Sequence, residues 1–180
     1  MKKLLSLLIT TLLLSGCTSS TKVSAPGFVT SCDQIRLLES VDKFVLMGCL
    51  DGSGEINFHQ IKGPLLINVW GSWCEGCKRE MPYFIELYQN PLFKNGQIQM
   101  LGVNVEEKSK DDAIDYIQKS GMSWPNLEDS SGVSKSIFGP GVPVTWFIDE
   151  NGKTVETKIG AYKNKKQLFN QVEKAFGVKL

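Results

Sequence analysis

The sequence has almost no excess of charge of either sign. Its 180 residues include 20 lysines and arginines and 19 aspartates and glutamates, so the formal net charge is +1. Nucleic-acid binding needs a clustered basic surface, and this balance does not supply one. The small group Lys163, Lys165 and Lys166 fits the solvated start of a helix. We therefore expect no nucleic-acid partner, and the length suits a single domain.

The apolar stretch at the N-terminus is too short to cross a bilayer. It runs from Leu4 to Leu14 after the basic pair Lys2-Lys3, whereas a membrane-spanning helix needs ~20 residues. The stretch ends in Leu14-Ser15-Gly16-Cys17, which resembles a bacterial lipobox and implies cleavage before Cys17 with a lipid on its thiol. Residues 1–16 are therefore predicted to be a lipoprotein signal peptide. The protein is then expected on the extracytoplasmic face of a bacterial membrane; an ordinary secretory signal and a membrane helix are the alternatives.

Residues 17–30 have little apolar pattern. They are mostly small and polar, a composition typical of a flexible tether. The folded domain is predicted to occupy residues 31–180. Export also sets the redox context, because disulfides persist outside the cytoplasm.

Two cysteines separated by two residues, Cys74 and Cys77, stand where an apolar run gives way to helix-forming sequence. The first turn of a helix has unpaired N–H groups and the positive end of the helix dipole, which favour a thiolate. The thiolate is the form that attacks disulfides. The spacing at this junction predicts a redox-active disulfide.

Three further cysteines are Cys17, Cys32 and Cys49. With Cys17 assigned to the lipid and the Cys74–Cys77 pair to redox chemistry, an even pair is left over. In an exported protein such a pair is most simply a structural disulfide. It would stabilise the fold by about 3 kcal/mol in the chain-entropy model. The alternative is that Cys32 and Cys49 form a second relay pair.

Apolar periodicity predicts the main elements. The predicted strands are Phe44–Met47, Glu55–Phe58, Leu65–Val69, Ile98–Val105, Val144–Ile148 and Val155–Ile159, the last two joined by an Asn151-Gly152 hairpin turn. The predicted helices are Gly76–Gln89, Lys110–Ser120 and a final helix that includes Leu168 to Phe176, with a kink or a frayed first turn at Pro82. The order is β-α-β-α-β-β-α after an N-terminal addition.

This order, with a CxxC pair opening the first main helix, resembles the thioredoxin fold, an α/β fold with a central mixed sheet flanked by helices. The second shared feature is Gly141-Val142-Pro143-Val144-Thr145. The resemblance implies a cis bond before Pro143, close to the CxxC pair. Proline tolerates the cis bond and has no N–H, so Val142 and Pro143 are expected to form the substrate-binding edge.

Within that superfamily the chain resembles the membrane-tethered TlpA/ResA-like thiol-disulfide oxidoreductases. The shared residues are the stretch from Ile67 to Pro82 and the pair Trp124-Pro125. The resemblance implies exchange between a CxxC dithiol and protein disulfides, with Cys74 as nucleophile and Cys77 as resolving thiol. It also implies electrons from a membrane thiol-disulfide carrier and a role in cytochrome c maturation. We expect a monomer that needs no cofactor beyond the Cys74–Cys77 disulfide, with Trp73 presented at the site.

The chain departs from thioredoxin at two places, Asn68 and Gly76. Thioredoxin has a buried aspartate where this chain has Asn68, as in the ResA-like group, so another group must move the proton. Glu80 is the candidate, because three residues after Cys77 it should occupy a neighbouring surface position on the same helix; a plain surface carboxylate is the alternative. Gly76 replaces a common proline and loosens the turn. Glu75 places a negative charge beside the sulfurs, which opposes the thiolate and favours a reductant.

Three other function classes are alternatives. A disulfide oxidant or isomerase would use the same cysteines. A metal-binding module would need about four ligands, and His59 is the only histidine, so no metal is expected. A peroxide-reducing enzyme is disfavoured because the Pro-x-x-x-Thr-x-x-Cys signature is missing around Cys74.

Overall fold

The computed structural model describes residues 25–180, which excludes the predicted signal peptide and Cys17. The strands are β1 (Leu46–Cys49), β2 (Glu55–Asn57), β3 (Leu65–Trp70), β4 (Gln99–Val105), β5 (Asn126–Asp129), β6 (Val144–Ile148) and β7 (Thr154–Ile159). The helices are α1 (Glu75–Tyr88), α2 (Pro91–Lys94), α3 (Lys110–Ser120), α4 (Ser134–Phe138) and α5 (Lys165–Phe176), with short 3₁₀ turns at Cys32–Gln34 and Phe58–Gln60. In this part of the chain no helix is both long enough and apolar enough to cross a membrane.

All seven strands form one mixed sheet in the order β2-β1-β5-β4-β3-β6-β7. Strands β3, β4 and β5 are parallel, whereas β6 runs antiparallel to β3 and β1 antiparallel to β5. Every residue of β3 is buried, as expected for a strand covered on both faces. The predicted fold class, a mixed sheet flanked by helices with an N-terminal extension, is confirmed.

Two hydrophobic clusters cover the two faces of the sheet. Leu66 and Trp70 of β3 belong to the cluster that includes α1, α3 and α5. Ile67 and Val69 belong to the opposite cluster, which includes the N-terminal segment and α4. The Cys74–Cys77 pair lies in the first cluster, at the carboxyl ends of the parallel strands.

The predicted tether extends too far along the chain. Gly27 donates its N–H to Gln118 O at 2.9 Å, Phe28 donates to Met122 O at 3.1 Å, and Thr30 bridges to Pro125. A Cβ at Gly27 would lie 2.1 Å from a backbone oxygen of α3, so only glycine permits this approach. The packed part of the chain therefore begins a few residues before 31, because small residues can lie against α3.

The predicted strand at residues 44–47 is displaced, since β1 covers Leu46–Cys49. Strand β5 and the short helices α2 and α4 were not predicted. Pro82 lies inside α1, which continues without a break from Glu75 to Tyr88. The β6–β7 hairpin forms as the Asn-Gly turn predicts.

Candidate active site

The Cys74–Cys77 disulfide stands at the N-terminus of α1. The two residues form a disulfide with their Cα atoms 5.3 Å apart. Cys74 is the N-cap residue, and its Sγ accepts the Cys77 N–H at 3.1 Å. Cys74 keeps 5% of its surface exposed and Cys77 none, so Cys74 is the less enclosed residue of the pair. The N–H groups of the first turn can stabilise negative charge at this sulfur.

The loop between β3 and α1 is held by a carboxylate that the sequence analysis missed. Glu107, just after β4, accepts hydrogen bonds from the Ser72 N–H, from Ser72 Oγ at 2.7 Å and from Asn104 Nδ2 at 2.8 Å. A Cβ at Gly71 would lie 2.6 Å from Trp73 Nε1, so glycine is needed for the loop to fold back on the indole. These contacts fix the entry into α1, and with it the position of Cys74.

Trp73 borders the disulfide and faces solvent with 46% of its surface exposed. Its Nε1 donates to Val105 O at 3.3 Å. Beside it runs a groove lined by Val69, Val105, Pro140, Gly141 and Val142, among others. The indole therefore forms one wall of a partly apolar groove next to Cys74.

The Val142–Pro143 peptide bond is cis, as the resemblance implies. A Cβ at Gly76 would lie 3.1 Å from Pro143 Cδ and 3.6 Å from Ala161 Cβ, which places the proline directly against the CxxC turn. Gly76 thus has a steric reason as well as the conformational one suggested by the sequence. Val142 is half-buried beside it.

Glu80 is buried, and the predicted surface position is wrong. The residue has no exposed surface because the buried side of α1 comprises Cys77, Glu80, Met81, Phe84 and Leu87. Its carboxylate accepts from Asn68 Nδ2 at 3.2 Å and from the Tyr162 N–H at 2.8 Å. Burial raises the pKa of Glu80 to about 7, although these hydrogen bonds and the charge of Lys158 lower it. A carboxyl group that titrates near neutral pH therefore lies three residues from Cys77.

Glu75 faces solvent and is paired. Lys78 Nζ lies 2.8 Å from Glu75 Oε1. This hydrogen bond, together with the charge of Lys78, holds the pKa of Glu75 below its usual value. Because Lys78 pairs with it, Glu75 should destabilise a thiolate at the CxxC pair less than the sequence suggested.

The second disulfide joins Cys32 to Cys49, with Cα atoms 6.1 Å apart. It ties the N-terminal segment to β1 and lies in the hydrophobic cluster on the other face of the sheet from Cys74. Cys32 and Cys49 together with Asp51 form the only group of potential metal ligands within residues 25–180. Both sulfurs of that group are already bonded to each other.

Comparison with known proteins agrees with this geometry. Residues 39–157 match the AhpC/TSA family. A thiol-disulfide oxidoreductase ResA of Bacillus thuringiensis is 31% identical over 175 residues, which cover 96% of each chain. The crystal structure of StoA from Bacillus subtilis superposes with a TM-score of 0.58 at 25% identity, over 71% of this chain and 95% of that one. A secreted Mycobacterium tuberculosis disulfide oxidoreductase gives a TM-score of 0.62 at 18% identity, over 72% and 95%, and supports the fold.

The family match and the level of identity agree with the cysteine pair, the cis proline and the sheet topology. The chain therefore belongs to the thioredoxin-like AhpC/TSA family and is a thiol-disulfide oxidoreductase.

Proposed function

We propose that this protein is a lipid-anchored protein-disulfide reductase on the extracytoplasmic side of a bacterial membrane. The observation that carries the proposal is the asymmetry of the sulfur pair. Cys74 Sγ caps α1 and the residue keeps 5% of its surface exposed, whereas Cys77 has no exposed surface. Cys74 is accordingly the nucleophile and Cys77 the resolving thiol.

In the reductive direction, the Cys74 thiolate attacks one sulfur of a substrate disulfide. The substrate S–S bond breaks, a mixed disulfide forms, and the departing substrate sulfur takes up a proton. Cys77 then loses its proton and attacks Cys74 Sγ, which breaks the mixed disulfide and releases the second substrate thiol after protonation. Two electrons pass from the dithiol to the substrate, and the Cys74–Cys77 disulfide is left; no further cofactor is required.

Glu80 is proposed to accept the Cys77 proton. A buried thiol cannot pass its proton directly to water, so a nearby base is needed. Glu80 lies one helical turn from Cys77 on the buried side of α1. Since its pKa is about 7, both protonation states are populated at neutral pH, as a proton acceptor requires.

The cis-proline segment is proposed as the site where the substrate polypeptide binds. Pro143 has no N–H and packs against the CxxC turn at Gly76. Val142 precedes it at the rim of the groove beside Trp73. An extended substrate segment could pair with the backbone of Val142 while its disulfide lies over Cys74.

The direction is proposed to be reductive. A carboxylate buried near the sulfurs opposes a thiolate, which destabilises the dithiol form and favours electron donation. Glu80 supplies this charge from within the fold, whereas Glu75 is paired with Lys78. We expect a reduction potential closer to thioredoxin, at about −270 mV, than to a strong oxidant at about −120 mV. A value near the latter would favour the second candidate, an oxidant or isomerase.

The client and the electron donor are proposed from the ResA resemblance. That resemblance points to apocytochrome c cysteines as substrate and a membrane thiol-disulfide carrier as donor, with the enzyme acting as a monomer held by a lipid on Cys17. A soft-metal module at Cys74 and Cys77 is a weaker alternative, because the pair forms a disulfide in the structure. Insulin reduction that is unaffected by chelator argues against it.

Trapping tests the assignment of the sulfurs. Cys77→Ser should accumulate a mixed disulfide through Cys74, because resolution is blocked. Peptide mapping under non-reducing conditions identifies the adduct with a purified disulfide-bonded apocytochrome c. Cys74→Ser/Cys77→Ser is the matched control and should give none. Absence of any adduct from Cys77→Ser with every disulfide substrate tried would show that the roles are wrong.

A further inference from the structure

Lys158 lies on the same side of the sheet as Glu80. In the register of the strands, Asn68 of β3 stands opposite Thr145 of β6, and Thr145 stands opposite Lys158 of β7. Glu80 reaches this row from α1 through its hydrogen bond with Asn68. Lys158 therefore ends a polar row that passes beneath the carboxylate.

The ammonium group of Lys158 is tied to the segment that follows β7. Its Nζ donates to Ile159 O at 2.7 Å and to Gly160 O at 2.8 Å. It also stands 5.6 Å from the ring centroid of Tyr162. One side chain thus closes the backbone turn at residues 159–162.

That same segment contacts each part of the active site. Gly160 donates its N–H to Pro143 O at 2.9 Å. Ala161 Cβ is 3.6 Å from the position that a Gly76 Cβ would occupy. The Tyr162 N–H binds Glu80 Oε2 at 2.8 Å. A shift of this turn would therefore displace the cis-proline loop, the CxxC turn and the proton acceptor together.

We propose that Lys158 is a positioning residue for disulfide exchange, which holds residues 159–162, and with them the Tyr162 N–H that binds Glu80, against the site. The proposal extends the role proposed above for Glu80. It assigns the residue no contact with substrate. Lys158 acts through the backbone it anchors and through its charge.

Among the groups that act on the pKa of Glu80 in the described part of the chain, Lys158 is the only cation. Asn68 and Thr145 are neutral. Burial raises the pKa of Tyr116 to about 12, and burial likewise raises that of Tyr162, so both are neutral at pH 7. The more distant carboxylates Glu75 and Glu156, which act on these tyrosines, are paired with Lys78 and Lys174.

The test measures the titration of Glu80 directly, by ¹³C NMR of its carboxyl carbon in the oxidised protein. Glu80→Gln identifies the resonance. In Lys158→Met the midpoint should rise by about half a pH unit from that of the wild type, because a cation that favours the carboxylate is lost. Lys158→Arg, which keeps the charge, should stay close to the wild type. Lys153→Met, in the turn before β7, is the matched control and should not change the midpoint.

The exchange rate at Cys74, measured against pH, supplies the second readout. Its midpoint should move with that of Glu80 in Lys158→Met, which a merely structural role would not produce. If Lys158→Met does not fold, Lys158→Gln replaces it in both measurements. An unchanged Glu80 midpoint in the neutral variants, or an equal shift in Lys153→Met, would overturn the proposal. A wild-type rate in Glu80→Gln would instead refute the proton-acceptor role and leave the Lys158 titration as an independent result.

Discussion

Replacing Glu80 with glutamine should change how stability depends on pH. The pKa of Glu80 is about 7 in the folded protein, against an ordinary value of 4.5 for a glutamate in water. Because the folded pKa is the higher one, the contribution to stability is fully present below pH 4.5 and is lost as pH rises through 7. The difference corresponds to about 3 kcal/mol of unfolding free energy. The wild type should lose this amount between acidic and mildly alkaline pH.

Glutamine removes the titration while keeping the shape of the side chain. The glutamine carbonyl can accept the Tyr162 N–H. Its NH₂ group can donate to Asn68 Oδ1 if the side-chain amide of Asn68 flips by about 180°. In the described part of the chain Asn68 Oδ1 has no other partner. Glu80→Gln therefore resembles the protonated form, and its stability should not fall over the window in which the wild type weakens.

The measurement is denaturant unfolding of the oxidised protein at pH 4 and pH 8.5, for the wild type and for Glu80→Gln. Groups common to both proteins cancel in the difference between the two pH dependences, which should be about 3 kcal/mol. Glu75→Gln, on the exposed side of the same helix, is the control. The pKa of Glu75 is lowered by Lys78, so its effect should have the opposite sign. Identical pH dependences in wild type and Glu80→Gln would refute the reasoning.

Two further predictions concern stability away from the sulfur pair. Cys32→Ser/Cys49→Ser should lower the unfolding free energy by about 3 kcal/mol and leave the exchange rate at Cys74 unchanged; a lost rate with intact folding would instead support a relay pair. Gly102→Ala should cost about 2–4 kcal/mol in denaturant unfolding, because its Cβ would lie 1.7 Å from Asn126 Oδ1, which accepts the buried Trp70 Nε1–H. A cost below about 1 kcal/mol would mean that this buried pair readily rearranges.

The parts of the site that the sequence predicted correctly depend on local signals. An apolar run followed by CxxC places the cysteines at a strand–helix junction. Asn151-Gly152 between two apolar runs predicts the β6–β7 hairpin. In each case the residues that carry the signal are adjacent in the chain, so no knowledge of distant partners is needed.

The parts that were missed depend on distant partners. Glu80 was assigned to the surface from its spacing after Cys77, on the expectation that this side of the helix is exposed, yet Cys77, Glu80 and Phe84 all lie on the buried side of α1. What makes that burial tolerable is the Tyr162 N–H, 82 residues further along the chain. Glu107 holds Ser72 across 35 residues in the same way. Strand β5 has only four residues, Asn126–Asp129, and their burial comes from neighbouring strands rather than from their own pattern.

Exposure alone does not explain why one disulfide is assigned to exchange and the other to structure. Cys32 and Cys49 are 4% and 3% exposed, close to the 5% of Cys74. The electrostatic surroundings differ instead. Cys74 Sγ receives an N–H at the start of the fourteen-residue helix α1, whereas a carboxylate oxygen of Asp51 lies within 4.8 Å of both other sulfurs.

Partial burial raises the pKa of Asp51, but hydrogen bonds from Ser53 and from the Cys32 N–H outweigh it and hold the pKa below its usual value. The carboxylate is therefore charged wherever the protein is folded at neutral pH. Exchange requires a thiolate to leave, and a fixed negative charge beside Cys32 and Cys49 opposes every such step. The helix dipole at Cys74 favours the same step. The α-helix N-terminus at Cys74, which Cys32 and Cys49 lack, therefore separates the two disulfides better than exposure does.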